Sequence, residues 1–157
     1  MQREIPAAII ASDIERERVA IEEALSLRRS ALHPLCTELQ VTCKAALQAA
    51  LAAGDFAAAT QHAASGVAFA RAAYAHVPNH PHVALQRYTL GQLLCEVAQS
   101  KQELRLGCAE LSAAAASLRV CGGSEGDMAK GATELLEHHQ TRLATTTRSA
   151  LDRYLQQ

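Results

Sequence analysis

The chain has 157 residues, 49% of them hydrophobic but only 3% aromatic, with no Trp. That alphabet, rich in Ala and Leu through the middle of the chain, favours helices, and the length is enough to bury a core without a metal or disulfide. A formal net charge of -1 leaves no dominant basic face and argues against nucleic-acid binding driven by phosphate neutralisation.

The opening MQREIPAAIIASDIERER returns to charge at Asp13, too soon for a signal peptide or a membrane span. The expectation is an intracellular protein, cytoplasmic or nuclear, with one helical domain over residues 1–157. Cys36, Cys43, Cys95, Cys108 and Cys121 form an odd set without a CxxC pair. Such a set suits buried, reduced thiols better than a disulfide frame or a zinc site.

Ser12 followed by Glu15 has the pattern of a capping box, and Ile14, Ile21, Ala24 and Leu25 recur at helical spacing. A leading helix is expected over 12–30. His33-Pro34 then offers a proline for a first helical position, and Leu35, Leu39, Cys43, Ala46, Leu47, Ala50 and Leu51 form one apolar stripe that ends at Gly54. Phe56, Ala59, Ala63, Gly66, Val67, Ala70, Tyr74 and Val77 resume the period until Pro78-Asn79. Residues 34–77 therefore read as a first helix pair broken at Gly54-Asp55.

His80-Pro81 repeats the earlier opening in HPHVALQRYTLGQLL, where Val83, Leu90, Leu93, Leu94 and Val97 face inward. Gly91 falls mid-helix, a cost of up to about 1 kcal/mol that a closely packed neighbour would justify. Leu104, Cys108, Leu111, Ala115 and Leu118 stripe a further helix from about Ser100 to Arg119, closed by Gly122-Gly123, so that 80–120 is a second pair. Ser124 with Asp127 suggests a weak cap for a terminal segment over 124–155, in which Thr145-Thr146-Thr147 would allow either one long helix or two. The sum is an all-α, antiparallel helix-pair array of tetratricopeptide type, with about six or seven helices.

Several phrases in this order, ALHPLCTELQVTCKAAL, AAGDFAAATQHAASGVAFARAAYAHVPNHPHVALQRYTLGQLL and SLRVCGGSEGDMAKGATELLEHH, carry a family likeness over residues 20–143. The chain resembles the carboxy-terminal helical domain of the SET and MYND domain (SMYD) lysine methyltransferases. Kinesin-light-chain repeats share the His-Pro and Leu-Gly elements and are the second resemblance. The SMYD ending often has another His-Pro, where Ser124-Glu125-Gly126-Asp127 stands here.

The resemblance implies a non-catalytic domain that covers a catalytic cleft, binds partner peptides such as an acidic chaperone tail, or does both. It also implies that S-adenosylmethionine and zinc would belong to a parent protein, because this chain has neither the family's zinc-knuckle cysteine pairs nor its cofactor segment. Whether the chain is whole or a piece of such a parent is open. A stand-alone scaffold and a self-associating helical bundle are the alternatives, neither with membrane or nucleic-acid contacts.

A groove between stacked helices would need donors to compensate a peptide carboxylate for lost water. Candidates are Lys44, Arg87, Lys101 and Arg105, with Gln40 and Gln48 as neutral donors. Arg87→Glu is expected to weaken binding of an acidic peptide without unfolding the chain. Histidine supplies the material for an enzyme reading: His76, His80 and His82 near one corner, and Glu134 with His138 four residues apart on one helix face. No third ligand is placed by the sequence, and no nucleophile elbow or phosphate-cradling glycine loop is present. Catalytic and metal residues are therefore expected to be absent from this chain.

Overall fold

A computed structural model describes residues 7–123 and 126–155, with side chains described over 12–123 and 126–145. The protein is an all-α array, and among the described residues there is no strand. Its helices are α1 (Ala7–Ala31), α2 (Thr37–Ala52), α3 (Phe56–Ala73), α4 (Pro81–Val97), α5 (Lys101–Gly122) and α6 (Asp127–Leu155). Two compact units divide the chain, one ending at Ala73 and the other beginning at Tyr74. No described helix is long and apolar enough to cross a membrane.

In the first unit α2 packs against both α1 and α3. Leu25 of α1 meets Leu39, Cys43 and Ala46 of α2, with Ile21 and Cys36 at the edge of the same cluster. From α3, Ala59, His62, Ala63, Gly66, Val67 and Ala70 are buried. The small side chains on α2 and α3 let two helix backbones approach while their few larger neighbours fill the remaining space.

Helix boundaries in this unit correct three expectations. Ser12 cannot cap α1, because the helix is already under way from Ala7; Glu15 instead pairs with Arg18 at 2.6 Å. The helix expected at Pro34 begins at Thr37, with Cys36 in extended backbone just before it. The His33 carbonyl accepts from the Cys36 N–H at 2.8 Å and its Nδ1 from the Leu35 N–H at 3.1 Å, so a turn intervenes and frees Leu35 from the helix. Finally α3 ends at Ala73, short of Val77. The break at Gly54-Asp55 is where the sequence puts it: Gly54 has φ of +72°, a conformation suited to a residue without Cβ, and Asp55 Oδ1 accepts from the Ala58 N–H at 2.9 Å.

The second unit is built around α5, which packs against α4 on one side and α6 on the other. Ala84, Ala115, Leu118, Ala129 and Ala132 form one core cluster, and Cys95, Leu104, Cys108 and Leu111 another; Tyr88 touches both. All five residues of the expected α5 stripe are buried. Gly91 does mark a close approach: a Cβ there would lie 2.8 Å from Leu111 Cγ and 3.0 Å from the Gly107 carbonyl oxygen. A Cβ on Gly107 would in turn lie 2.9 Å from the Cys95 backbone nitrogen, so two glycines facing each other bring α4 and α5 together.

Pro81 is the first helical residue of α4, as expected, and His80 caps the helix, its Nδ1 accepting from the His82 N–H at 3.2 Å. Asn79, with φ of +60°, makes the corner ahead of it, and the end of α5 holds that corner. The Ser117 hydroxyl donates to Asn79 Oδ1 at 3.2 Å and the Cys121 thiol to its carbonyl at 2.6 Å. A full capping box starts α5: the Glu103 N–H donates to Ser100 Oγ while the Ser100 N–H donates to Glu103 Oε2. The terminal segment is one helix, continuous through Thr145-Thr146-Thr147. Ser124, named above as its cap, lies outside the described residues, as do the side chains beyond Thr145.

Candidate peptide-binding groove

A concavity in the first unit, walled by more than one element, has a volume of about 470 Å3. Its walls come from the end of α1, the turn before α2, and facing surfaces of α2 and α3. Leu35, Leu39 and Cys43 oppose Ala68, Phe69 and Ala72, while Arg29, Gln40 and Ser65 supply polar groups. The late start of α2 shapes this site, since it leaves Leu35 in the turn, 43% exposed, where it can line the groove. An apolar wall with a few donors, in a volume of this size, suits a side chain or two of a bound segment.

The six expected donors divide evenly between the two units. Gln40 lines the groove. Lys44 and Gln48, one and two turns further along α2, are exposed and outside its lining. Arg87, Lys101 and Arg105 belong to the second unit. Arg87 is already engaged, its Nε donating to Glu110 Oε2 at 2.6 Å, with both side chains mostly buried. Its charge is satisfied within the unit rather than offered to a ligand. The sequence reading missed Arg29, which among the described residues makes no ion pair and is the one charged side chain on the groove wall. Position 29 lies at the end of a helix whose packing the sequence does not orient, so only the fold could bring it beside Gln40.

A depression on the second unit, about 630 Å3, includes Glu134 and His138. Every described residue along it belongs to α6, so it is an open helix face. Among the described residues no three His, Cys, Asp or Glu side chains are grouped to hold a metal ion. At the other histidine cluster, the His80 ring stacks on Tyr74 with centroids 3.6 Å apart and His82 meets the same ring edge-on. These rings pack the corner and cap the helix.

Two histidines are buried, His62, which the sequence reading did not single out, and His139, which it grouped with His138 as material for an enzyme rather than for the core. His62 on α3 has its Nε2 2.7 Å from Glu22 Oε1 of α1, linking the outer helices of the first unit, while its Nδ1 is buried without a partner. His139 on α6 is buried with neither ring nitrogen bonded. Burial and the neighbouring His138 push its pKa below the ordinary value, with Glu96 opposing them. Their signal was present in the helical spacing, because position 62 continues the stripe of Ala59, Ala63 and Gly66, and position 139 that of Ala132, Leu135, Leu136 and Leu143.

The cysteines differ among themselves. Cys43, Cys95 and Cys108 are buried, Cys36 is half-buried, and Cys121 is exposed, which corrects the expectation of five buried thiols. Burial and the adjoining Cys108 push the Cys95 thiol up to about 12. The Cys36 thiol donates to Glu38 Oε2 at 2.7 Å and, with the Glu38 backbone N–H and Arg28, holds that carboxyl below its usual range. Comparison with protein-family models, curated proteins and solved structures returns no significant match.

Proposed function

We propose that the protein is a non-catalytic, protein-binding helical module whose first unit takes a short peptide in the groove between α2 and α3. The observation that carries this reading is the groove's composition. Leu35, Leu39 and Phe69 offer an apolar seat, and Arg29 with Gln40 offers donors for a carboxylate beside it. The partner that fits is an acidic segment with an aliphatic side chain, such as a chain end where a leucine or valine adjoins a free carboxylate.

The SMYD resemblance supports the same class of role. In that setting the module would border the catalytic cleft of a lysine methyltransferase, with S-adenosylmethionine and zinc held by residues outside this chain. A stand-alone adaptor would use the same groove without an attached catalytic lobe. Kinesin-light-chain-like repeats would also serve as a peptide-binding scaffold.

Titration of the full chain with a labelled acidic peptide ending in valine tests the proposal. Arg29→Glu should weaken binding by about tenfold or more, since it sets two negative charges against each other. Leu35→Glu should do the same by spoiling the apolar seat, with circular dichroism unchanged because the residue is exposed. Failure of the unaltered chain to bind, or variants that bind as tightly as the unaltered chain, would remove the groove assignment.

A further inference from the structure

A second concavity of the first unit, about 320 Å3, lies between α1 and α2 and shares no lining residue with the peptide groove. Ala20, Ile21 and Ala24 of α1 and Val41 and Ala45 of α2 make an apolar floor, bounded along α1 by Glu17 and Arg28. Val41 is 62% exposed, although Leu39, Cys43 and Ala46 of the same helix are buried. Positions 17, 21, 24 and 28 recur at helical spacing, so they lie along one stripe, with the two charges about three turns apart. Arg28 is held in place by hydrogen bonds donated to the Thr42 hydroxyl and the Glu38 carbonyl. Those acceptors are neutral, and although Glu38 also feels the guanidinium, Arg28 forms no ion pair among the described residues. Glu17 forms none either.

We infer that this face is a self-association surface, and that its occupant is a second copy of the chain docked antiparallel about a twofold axis crossing the middle of α1. The charge pattern is what selects that occupant. An acid at one end of an apolar stripe and a base at the other complement themselves when the stripe is reversed, so Glu17 of each copy meets Arg28 of the other while Ile21 meets Ala24. Parallel pairing would set Glu17 against Glu17 and Arg28 against Arg28. The alanines at 20, 24 and 45 permit close helix approach, and two α1–α2 hairpins joined in this way form a four-helix bundle. This inference does not depend on the peptide groove, which is lined by other residues.

Sedimentation equilibrium of the full chain over nanomolar to millimolar concentration provides the test. The unaltered chain should show a reversible monomer–dimer equilibrium. Glu17→Lys sets two bases together at each end, and Arg28→Glu two acids, so each variant alone should dimerise at least about tenfold more weakly. An equimolar mixture of the two should recover a heterodimer, because the introduced lysine of one copy then faces the introduced glutamate of the other while the original pair is kept at the opposite end. Val41→Glu, which alters no hydrogen bond of Arg28, should also weaken association and keeps the test independent of any folding defect at position 28. A chain that stays monomeric throughout, single variants that associate as well as the original, or a mixture no tighter than its components would each overturn the inference.

Discussion

His139 is 2% exposed in an apolar seam of α6, flanked at helical spacing by Leu135, Leu136 and Leu143. Its pKa is held below 6.5 by burial. As pH falls through that value the unfolded chain takes up a proton that the folded one resists, so stability present above 6.5 is lost towards acid, by up to about 1.4 kcal/mol per pH unit. His139→Leu should remove that share of the acid sensitivity and, by removing two unsatisfied nitrogens, raise the melting temperature at neutral pH. Comparing denaturant midpoints of the two proteins at about pH 7.5 and about pH 5.5 checks it; parallel pH dependences would show that this ring is solvated. Thiol reactivity follows from similar reasoning. Cys95, buried and pushed up to about 12, should be alkylated last, and exposed Cys121 far earlier, in peptide mapping after a timed iodoacetamide pulse.

Helices α3, α4 and α5 begin where a side chain supplies an acceptor for an N–H group of the first turn. Both His-Pro sites place the same contact, the ring Nδ1 accepting from the N–H two residues on, yet only the second starts a helix at once. The words are the same and the outcome differs, because the first turn also closes a hydrogen bond from the Cys36 N–H to the His33 carbonyl. At α5, Ser100→Ala would remove half of the capping box and should cost about 1 kcal/mol in denaturant unfolding. Gly91→Ala should cost about 1–3 kcal/mol despite the better helix propensity of alanine, since the new Cβ meets α5 backbone that cannot easily yield. An unaltered unfolding midpoint would refute the close approach. Arg87→Glu should also destabilise the fold, because it faces Glu110 with a second carboxylate. This differs from the purely functional effect that the sequence suggested.

At the scale of the whole molecule, the peptide groove and the proposed self-association face belong to the first unit, whereas Gly91, Ser100 and His139 belong to the second. Substitutions at those three sites should therefore change stability while leaving peptide affinity within about twofold wherever the protein remains folded. A larger loss, measured by the same titration at a temperature well below the transition, would show that the groove requires an intact second unit. A net charge of -1 also makes both associations matters of local pairing rather than of the overall field, so moderate salt should weaken them only through Arg29 in one case and Glu17 with Arg28 in the other.

Fold class, the Gly54-Asp55 break, the α5 stripe and the tight spot at Gly91 were all legible in the order of residues, because each depends on helical periodicity or on the local chemistry of a turn. The start of α2 was not, since it depends on which hydrogen bonds the His33 turn completes. Site residues were the least legible. Periodicity marks which positions face inward on each helix but carries no information about which face of a neighbour they meet. Only packing could consume Arg87 in a pair with Glu110, bury His62 against Glu22, and bring Arg29 from the end of α1 to the wall of a groove formed by α2 and α3.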